Sequence, residues 1–354
     1  MKSIMGIILS FVSIQAWAWG GRGHASICEA AVFLVQSENL KEYLLNKPHM
    51  MGHLCNVPDI YWKGLSGEQT QHGNPTHYIN PEAIGLAAKD VPLDMKLLIT
   101  KYTGQENMTR SGSKLSSVPM DMGSNWWRAD QFFRRAVESA KEIKKSAAPT
   151  NYKEEQDDTL AFNKNFYEMV VAMGLMGHFV GDNGQPFHVT SDHDGYAAGH
   201  GGIHSYYEDT SVAYFGPDLQ AQIVSSAKKL KKTPFLNGSP LEKMRALGEI
   251  SISEVKDVLK VDPVTKPSTL KIERGMSLKT AAERKPGKVG HEKFKKLIVT
   301  QMARSALLLA NMWDDIYKQA GQPEIKAYKS YRYPLTPDFV YPDYYEIKET
   351  KTDK

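Results

Sequence analysis

The sequence predicts an all-α protein folded as one domain, and three observations point there. Apolar residues recur at helical spacing in several long stretches. No internal repeat or clear linker divides the chain. And 354 residues with 41% hydrophobic content suffice for a large core. The stretch that organises the rest is 178–208, HFVGDNGQPFHVTSDHDGYAAGHGGIHSYYE, dense in metal-ligating side chains.

From the start, residues 1–18 have a basic residue at Lys2, an apolar core from Ile4 to Ile14, and Ala16-Trp17-Ala18 as a small-residue cleavage pattern. They read as a secretory signal peptide, too short for a membrane span, so the mature chain is expected to begin at Trp19 and to be secreted or periplasmic. A free α-amine titrates near neutrality, and with the carbonyl of its own residue it can chelate a metal. Trp19, opening WGGRGH, is therefore a candidate ligand together with His24. Lys2 is one of 44 Lys and Arg set against 40 Asp and Glu, so cleavage takes the formal charge from +4 to +3. That is too small to imply nucleic acid or a membrane by net charge alone.

Ile27, Ala30, Ala31, Leu34 and Val35 continue a helix from the His24 region. Cys28 and Cys55 can pair in an oxidising compartment, but sequence does not place their Cα atoms within bridging range, and no CxxC spacing marks them as zinc ligands. His49, His53 and His72 read as surface residues. The polar, Gly/Ser-rich run 105–119 reads as a surface loop. Trp126, Trp127, Phe132, Phe133, Val137 and Ala140 predict a helix over 125–145 with an aromatic inner stripe and Arg128, Arg134 and Arg135 on other faces.

The segment before His178 (Phe166, Met169, Val170, Met173, Leu175, Met176) is apolar nearly all round and predicts a buried helix carrying His178 and Asp182 on one face. Pro186 ends it and lets His188 fold back from a loop. His204 and Glu208 repeat the four-residue spacing. A lone His on an apolar face is ordinarily a packed core residue, but five imidazoles and carboxylates, four of them in two pairs at that spacing, are a donor set for a cation like zinc. In the insert 191–202, Asp192, His193, Asp194 and His200 form an Asx-turn loop or shape a substrate mouth. Two further helices are expected over 217–232 and 240–259, an exposed basic loop over 261–290, a closing helix over 294–320, and a Tyr/Pro-rich tail, 321–354, draped over the body.

H-F-x-G-D-x-x-Q-P-x-H followed by H-x-x-x-E resembles the S1/P1 nuclease and zinc-dependent phospholipase C superfamily, over about residues 19–320. The resemblance implies a single multi-helix domain with a trinuclear zinc site. It also asks for upstream ligands, which WGGRGH, VPDIYW and NPTHYIN supply as Trp19, His24, Asp59 and His77. Carried over by position, Asp59, His77, His178 and Asp182 hold one Zn2+, and His188, His204 and Glu208 a second. The third falls to the Trp19 amine and carbonyl, His24 and a bridging Asp182. The implied activity is phosphodiester hydrolysis by zinc-activated water, with Asp59 as the catalytic residue that orients or deprotonates it.

One departure concerns the substrate. The nuclease branch carries an Arg three residues after this Asp; here the position is Trp62, followed by Lys63, a point charge without the bidentate fork. Tyr78 and Asn80 stand where that branch binds a base, and Tyr61 and the Tyr206 region are the head-group candidates if the substrate is a phospholipid. WGxxGH and HYIN resemble the nuclease branch. Glu208 as the last ligand, the short spacing from His188 to His204 and the missing Arg resemble the phospholipase branch. The balance gives a phospholipase-C-like hydrolase first and an S1/P1-type nuclease on single-stranded DNA or RNA as the alternative. A secreted zinc-binding protein without catalysis, using the same ligands in closed sites, is a third.

Overall fold

The computed structural model of the chain describes residues 19–273, 276–325 and 336–344. Residues 1–18, where the signal peptide is expected, lie outside them, as do 326–335 and 345–354 of the tail. The described chain is mostly helical, with 62% helix and 5% strand. In order run α1 (Gly20–Val32), α2 (Glu38–Leu45), α3 (Pro48–Val57), α4 (Glu68–Gly73), α5 (Met95–Tyr102), α6 (Val118–Asp121) and α7 (Asn125–Lys145). Then come α8 (Tyr152–Glu155), α9 (Ala161–Asn183), α10 (Ile203–Ser205), α11 (Leu219–Ala227), α12 (Pro240–Val261) and α13 (Gly287–Gln319).

α9 is the axis, because a helix apolar nearly all round must be covered on every side. It runs along α7 and is flanked by α1, α3 and α13. Two of its glycines permit the close approach of α1. A Cβ on Gly177 would stand 2.2 Å from Cys28 Sγ, and one on Gly181 2.8 Å from His24 Nδ1. Past Asn183 the chain turns through a 3-10 segment, Pro186–His188, which carries His188 back. α12 begins with a capping box between Ser239 and Glu242.

Several expectations need correction. α1 ends at Val32, so Leu34 and Val35 lie past it although both are buried. α7 has the expected bounds, but Arg128 is not on an outer face. It is fully buried, its guanidinium lies 4.7 Å from the Phe132 ring centre and 5.7 Å from that of Phe339, and it donates to Gln131 Oε1 and to the carbonyl of Val340. It is an anchor for the tail. Residues 336–344 lie against α7, with Gln131 donating to the Tyr341 carbonyl (2.8 Å) and Arg134 paired to Asp343 (2.9 Å). Trp62, where an Arg was expected, serves the same docking: its indole donates to the Pro337 carbonyl at 3.0 Å.

The run 261–290 is not simply a loop. β1 (Val264–Lys266) pairs antiparallel with β4 (Glu283–Arg284), and β2 (Thr269–Glu273) with β3 (Met276–Thr280). TLKIE and MSLKT alternate apolar and polar residues, the period of a strand, which the Pro, Lys and Gly around them obscures. α13 starts at Gly287, several residues before the expected closing helix, because its first two turns are too polar to show an apolar face. Among the described residues no helix is long and apolar enough to cross a membrane.

Cys28 and Cys55 form a disulfide between α1 and α3, 27 residues apart. Loop closure of that size is worth about 3.5 kcal/mol on the chain-entropy relation. The double variant Cys28→Ala/Cys55→Ala is therefore expected to unfold at lower denaturant with a free-energy loss of about that size. Chemical denaturation of both proteins checks it, and equal midpoints would show that the bond constrains nothing.

Candidate metal centre

Eight candidate side chains, from seven elements, meet at one buried place. α1 brings His24, and α9 brings His178 and Asp182. Asp59 lies on a π-helical turn, Pro58–Trp62, that continues α3, and Glu208 on a second, Tyr206–Thr210. Such turns re-aim a side chain by one extra residue and are frequent at functional sites. His77 and His188 end short 3-10 segments, and His204 lies on α10. All eight are buried.

They fall into three groups able to hold a metal ion: His24, His178 and Asp182; Asp59, His77 and His178; His188, His204 and Glu208. Asp182 sits between them, its Oδ1 3.2 Å from His24 Nε2 and its Oδ2 3.1 Å from His77 Nδ1 and 3.3 Å from His178 Nε2. The backbone nitrogen of Trp19, itself fully buried, points to Glu208 Oε2 at 3.1 Å, and its indole donates to the Gly181 carbonyl. The structure thus draws Trp19 to Glu208, and groups His24 with His178 as well as with Asp182.

The donor set fits metal ions on two counts. His178 Nδ1 contacts the Cys55 carbonyl at 2.8 Å and His188 Nδ1 the His77 carbonyl at 2.7 Å. A carbonyl only accepts, so those nitrogens carry protons, and each Nε2 is the atom left to hold either a further proton or a metal ion. Yet His178 Nε2 faces His77 Nδ1, and His188 Nε2 faces His204 Nε2, each pair 2.9 Å apart. Two ring nitrogens that close need a proton or a cation to share. Secondly, Asp59 Oδ2 and Glu208 Oε1 are buried and accept no hydrogen bond. Buried carboxylate oxygens left so are costly unless a cation meets them.

Charge at the centre keeps the carboxylates ionised. Burial opposes ionisation of Asp59, but Lys63, His178 and His77 outweigh it and hold the carboxyl below its ordinary range. Glu208 is likewise opposed by burial, yet His204 and His188 bring it down to about 2. Burial and then Lys63 push His77 down to about 4. At His188 burial is overcome by Asp182 and Glu208, which raise it to about 9.

A cavity of about 440 Å³ opens onto this centre, with His77, His188 and His204 in its wall. Of the substrate candidates, Lys63, Tyr78 and Asn80 line it. Lys63 Nζ also reaches Asp59 Oδ1 at 2.5 Å, and the Tyr78 hydroxyl donates to the Met120 carbonyl. With its amide oriented to satisfy its neighbours, Asn80 donates to the Thr190 carbonyl at 3.0 Å and is fixed in the wall. Tyr61 is not brought there: it is 42% exposed, turned towards His53, and absent from the lining. Tyr206, beside the Arg284 guanidinium, donates instead to the Lys285 carbonyl.

Sequence reasoning missed other parts. Gln185 donates to Glu208 Oε2 at 2.8 Å and accepts from the Phe187 amide, so it holds the ligand in place; its QP motif was the available signal. Phe187 and Arg110 line the cavity, the latter from the run read as a surface loop. The insert is a hydrogen-bonded loop beside the cavity. Asp192 accepts from the Ala197 and Ala198 amides, five and six residues on, which closes a longer loop than the expected Asx turn, while His193 lines the cavity with its ring 5.9 Å from that of His204.

No protein-family model matches this sequence, and no match was found among curated proteins.

Proposed function

We propose that the protein is a zinc-dependent phosphodiesterase of the S1/P1 nuclease and phospholipase C type, acting on single-stranded nucleic acid. The observation that carries the reading is the meeting of three buried imidazole–carboxylate groups beside one cavity, to whose wall of cations and aromatic rings two of them contribute histidines. Zinc ions held by these groups would supply an activated water near neutral pH and positive charge against the phosphoryl oxygens. The remaining work falls to the chain. Asp59 stays ionised and offers Oδ2 as a hydrogen-bond acceptor that would orient the attacking water. Lys63 fixes Asp59 through Oδ1 and puts its charge on the cavity wall. Asp182 touches His24, His77 and His178 and holds their spacing. Burial of the whole centre excludes bulk water.

The lining supports one of the two substrates weighed from the motifs over the other. It contains Lys63, Arg110 and four histidines but no Asp or Glu. A quaternary ammonium head would meet cations there, whereas a polyanion with planar bases meets charge and the Tyr78 and Phe187 rings. The phospholipid head-group candidate Tyr61 stands outside. This favours the nuclease branch over the phospholipase branch that the motifs placed first.

The test is turnover by the zinc-loaded protein beginning at Trp19 on single-stranded DNA and on phosphatidylcholine, each with a chelator control. Chelator-sensitive nucleotide release is expected. Phosphocholine release instead would reverse the substrate assignment, and release of neither would return the chain to the class of non-catalytic zinc proteins. Within the reading, Tyr78→Ala should raise KM for oligonucleotides roughly 10-fold, since one base stack is worth about 1–3 kcal/mol, with kcat nearly unchanged. A fall in kcat at constant KM would place Tyr78 in the chemistry instead.

A further inference from the structure

The sequence lacks a guanidinium where the nuclease branch carries one, and Trp62, which stands there, is committed to the Pro337 carbonyl. The cavity nevertheless has a guanidinium, from a different part of the chain. Between α5 and α6 the backbone forms a closed finger: the Gly104 amide bonds the Leu115 carbonyl, the Leu115 amide that of Gln105, and the Asn107 amide that of Ser113, each at 2.8 Å. The tip is fixed by the Arg110 amide on the Asn107 carbonyl (3.1 Å) and the Ser113 amide on the Arg110 carbonyl (3.0 Å). Asn107 is buried at the root of that turn and its side chain accepts from the Thr109 amide and hydroxyl. The Met108 amide ties the finger to the Ala83 carbonyl at 3.0 Å. A finger built this way holds its tip in place, and the tip residue Arg110 lines the cavity together with Lys63 and Tyr78.

Arg110 is exposed, and among the described residues no carboxylate is recorded in an ion pair with it. An arginine without a carboxylate partner, in a wall that contains no carboxylate, presents its fork to whatever enters. Lys63 is already engaged by Asp59 beside the metal ligands. The two cations therefore differ in what they offer: Lys63 serves the reacting centre, and Arg110 serves a neighbouring position.

From this we infer that Arg110 is a specificity-determining residue, binding a second phosphate of the substrate next to the one that reacts. The protein then selects an oligonucleotide over any phosphodiester that carries a single phosphate. The inference rests on the proposed nucleic-acid phosphodiesterase reading and adds the substrate length to it.

The experiment compares the zinc-loaded protein with Arg110→Ala and Arg110→Lys on thymidylyl-thymidine, which has one phosphate, and on a dodecathymidylate. Arg110→Ala is expected to raise KM for the dodecamer roughly 10-fold at unchanged kcat and to leave the dinucleotide untouched, with Arg110→Lys in between. Binding of a labelled phosphorothioate dodecamer, followed by anisotropy against salt, is expected to lose ~0.7 of its log–log slope, the value for one phosphate contact on a single strand. Equal effects on both substrates, or an unchanged dodecamer affinity and slope, would overturn the assignment. The binding measurement needs no turnover. A protein that hydrolysed nothing yet showed the Arg110-dependent slope would defeat the hydrolase reading and leave the subsite standing.

Discussion

Asp182→Ala is expected to remove metal from more than one of the three groups and to lower kcat/KM on any hydrolysed phosphodiester by roughly 10³-fold, about 4 kcal/mol of lost transition-state stabilisation. Its two oxygens contact three imidazoles, those of His24, His77 and His178. Removing any of those imidazoles takes away one donor; removing Asp182 takes away the anion that they share. The effect is electrostatic as well as geometric. Burial opposes ionisation of Asp182, but His178 and His188 more than offset it and hold the carboxyl well below its usual range, so it is an obligate anion in this cluster. Without it the imidazoles face one another with less negative charge to compensate bound cations. Metal content by mass spectrometry, measured with kcat/KM and far-ultraviolet circular dichroism, checks this. Full metal occupancy with a folded spectrum and undiminished activity would mean that Asp182 bridges nothing. His53→Ala, whose side chain lies against the exposed Tyr61, serves as the control expected to change neither quantity.

How much of this was legible in sequence depends on whether an element carries its own signal. α7 was legible because its apolar residues repeat with the helix period over more than four turns, and α9 because it is apolar nearly all round over a length that suits a buried helix. The grouping of His188, His204 and Glu208 was legible for a similar reason, since all three lie within one short stretch around a proline turn. The close approach of α1 to α9 was not, because what permits it is the lack of side chains at Gly177 and Gly181, and a glycine in a helix announces nothing about its neighbour. The burial of Arg128 was hidden too. Gln131 and Phe132 are near it in sequence, but Trp62, Phe179 and the tail around Phe339 and Val340 are remote, so its charge read as a solvated face. Arg110 illustrates the general limit. A polar, Gly/Ser-rich run is correctly a surface segment, but only tertiary structure shows which surface it overhangs. The pairing of β2 with β3 was obscured by composition around it, although the alternation itself was present in TLKIE and MSLKT.

The metal-free protein is expected to be much less stable than the loaded one, and the difference should depend on pH with a definite sign. Ligands that bind only the native state add RT ln(1 + [L]/Kd), about 4 kcal/mol for a site at a thousandfold excess over Kd, so chelation across three such sites should lower Tm by roughly 20 °C or more. In the metal-free centre His188 is raised to about 9 from its ordinary 6.5, because Asp182 and Glu208 overcome its burial. A raised folded value means that this stabilisation is complete below pH 6.5 and is lost as pH climbs through 9. His77, lowered to about 4, is already neutral across that window, and Asp209, which burial and then Glu208 raise to about 7, has largely ionised by its upper half. In the loaded protein a metal takes the place of the His188 proton, so that alkaline loss has no counterpart. The gap in Tm with and without chelator should therefore widen between pH 7 and 9. On the acid side it should close, as protons compete for the imidazoles and then for Glu208, whose depressed value of about 2 makes its own contribution vanish only as pH falls from 4.5 through 2. Thermal unfolding at half-unit steps of pH, with and without chelator, measures both limbs. Superimposable curves with and without chelator would mean that the buried carboxylates and imidazoles are balanced by one another and hold no metal, and the proposed chemistry would go with them.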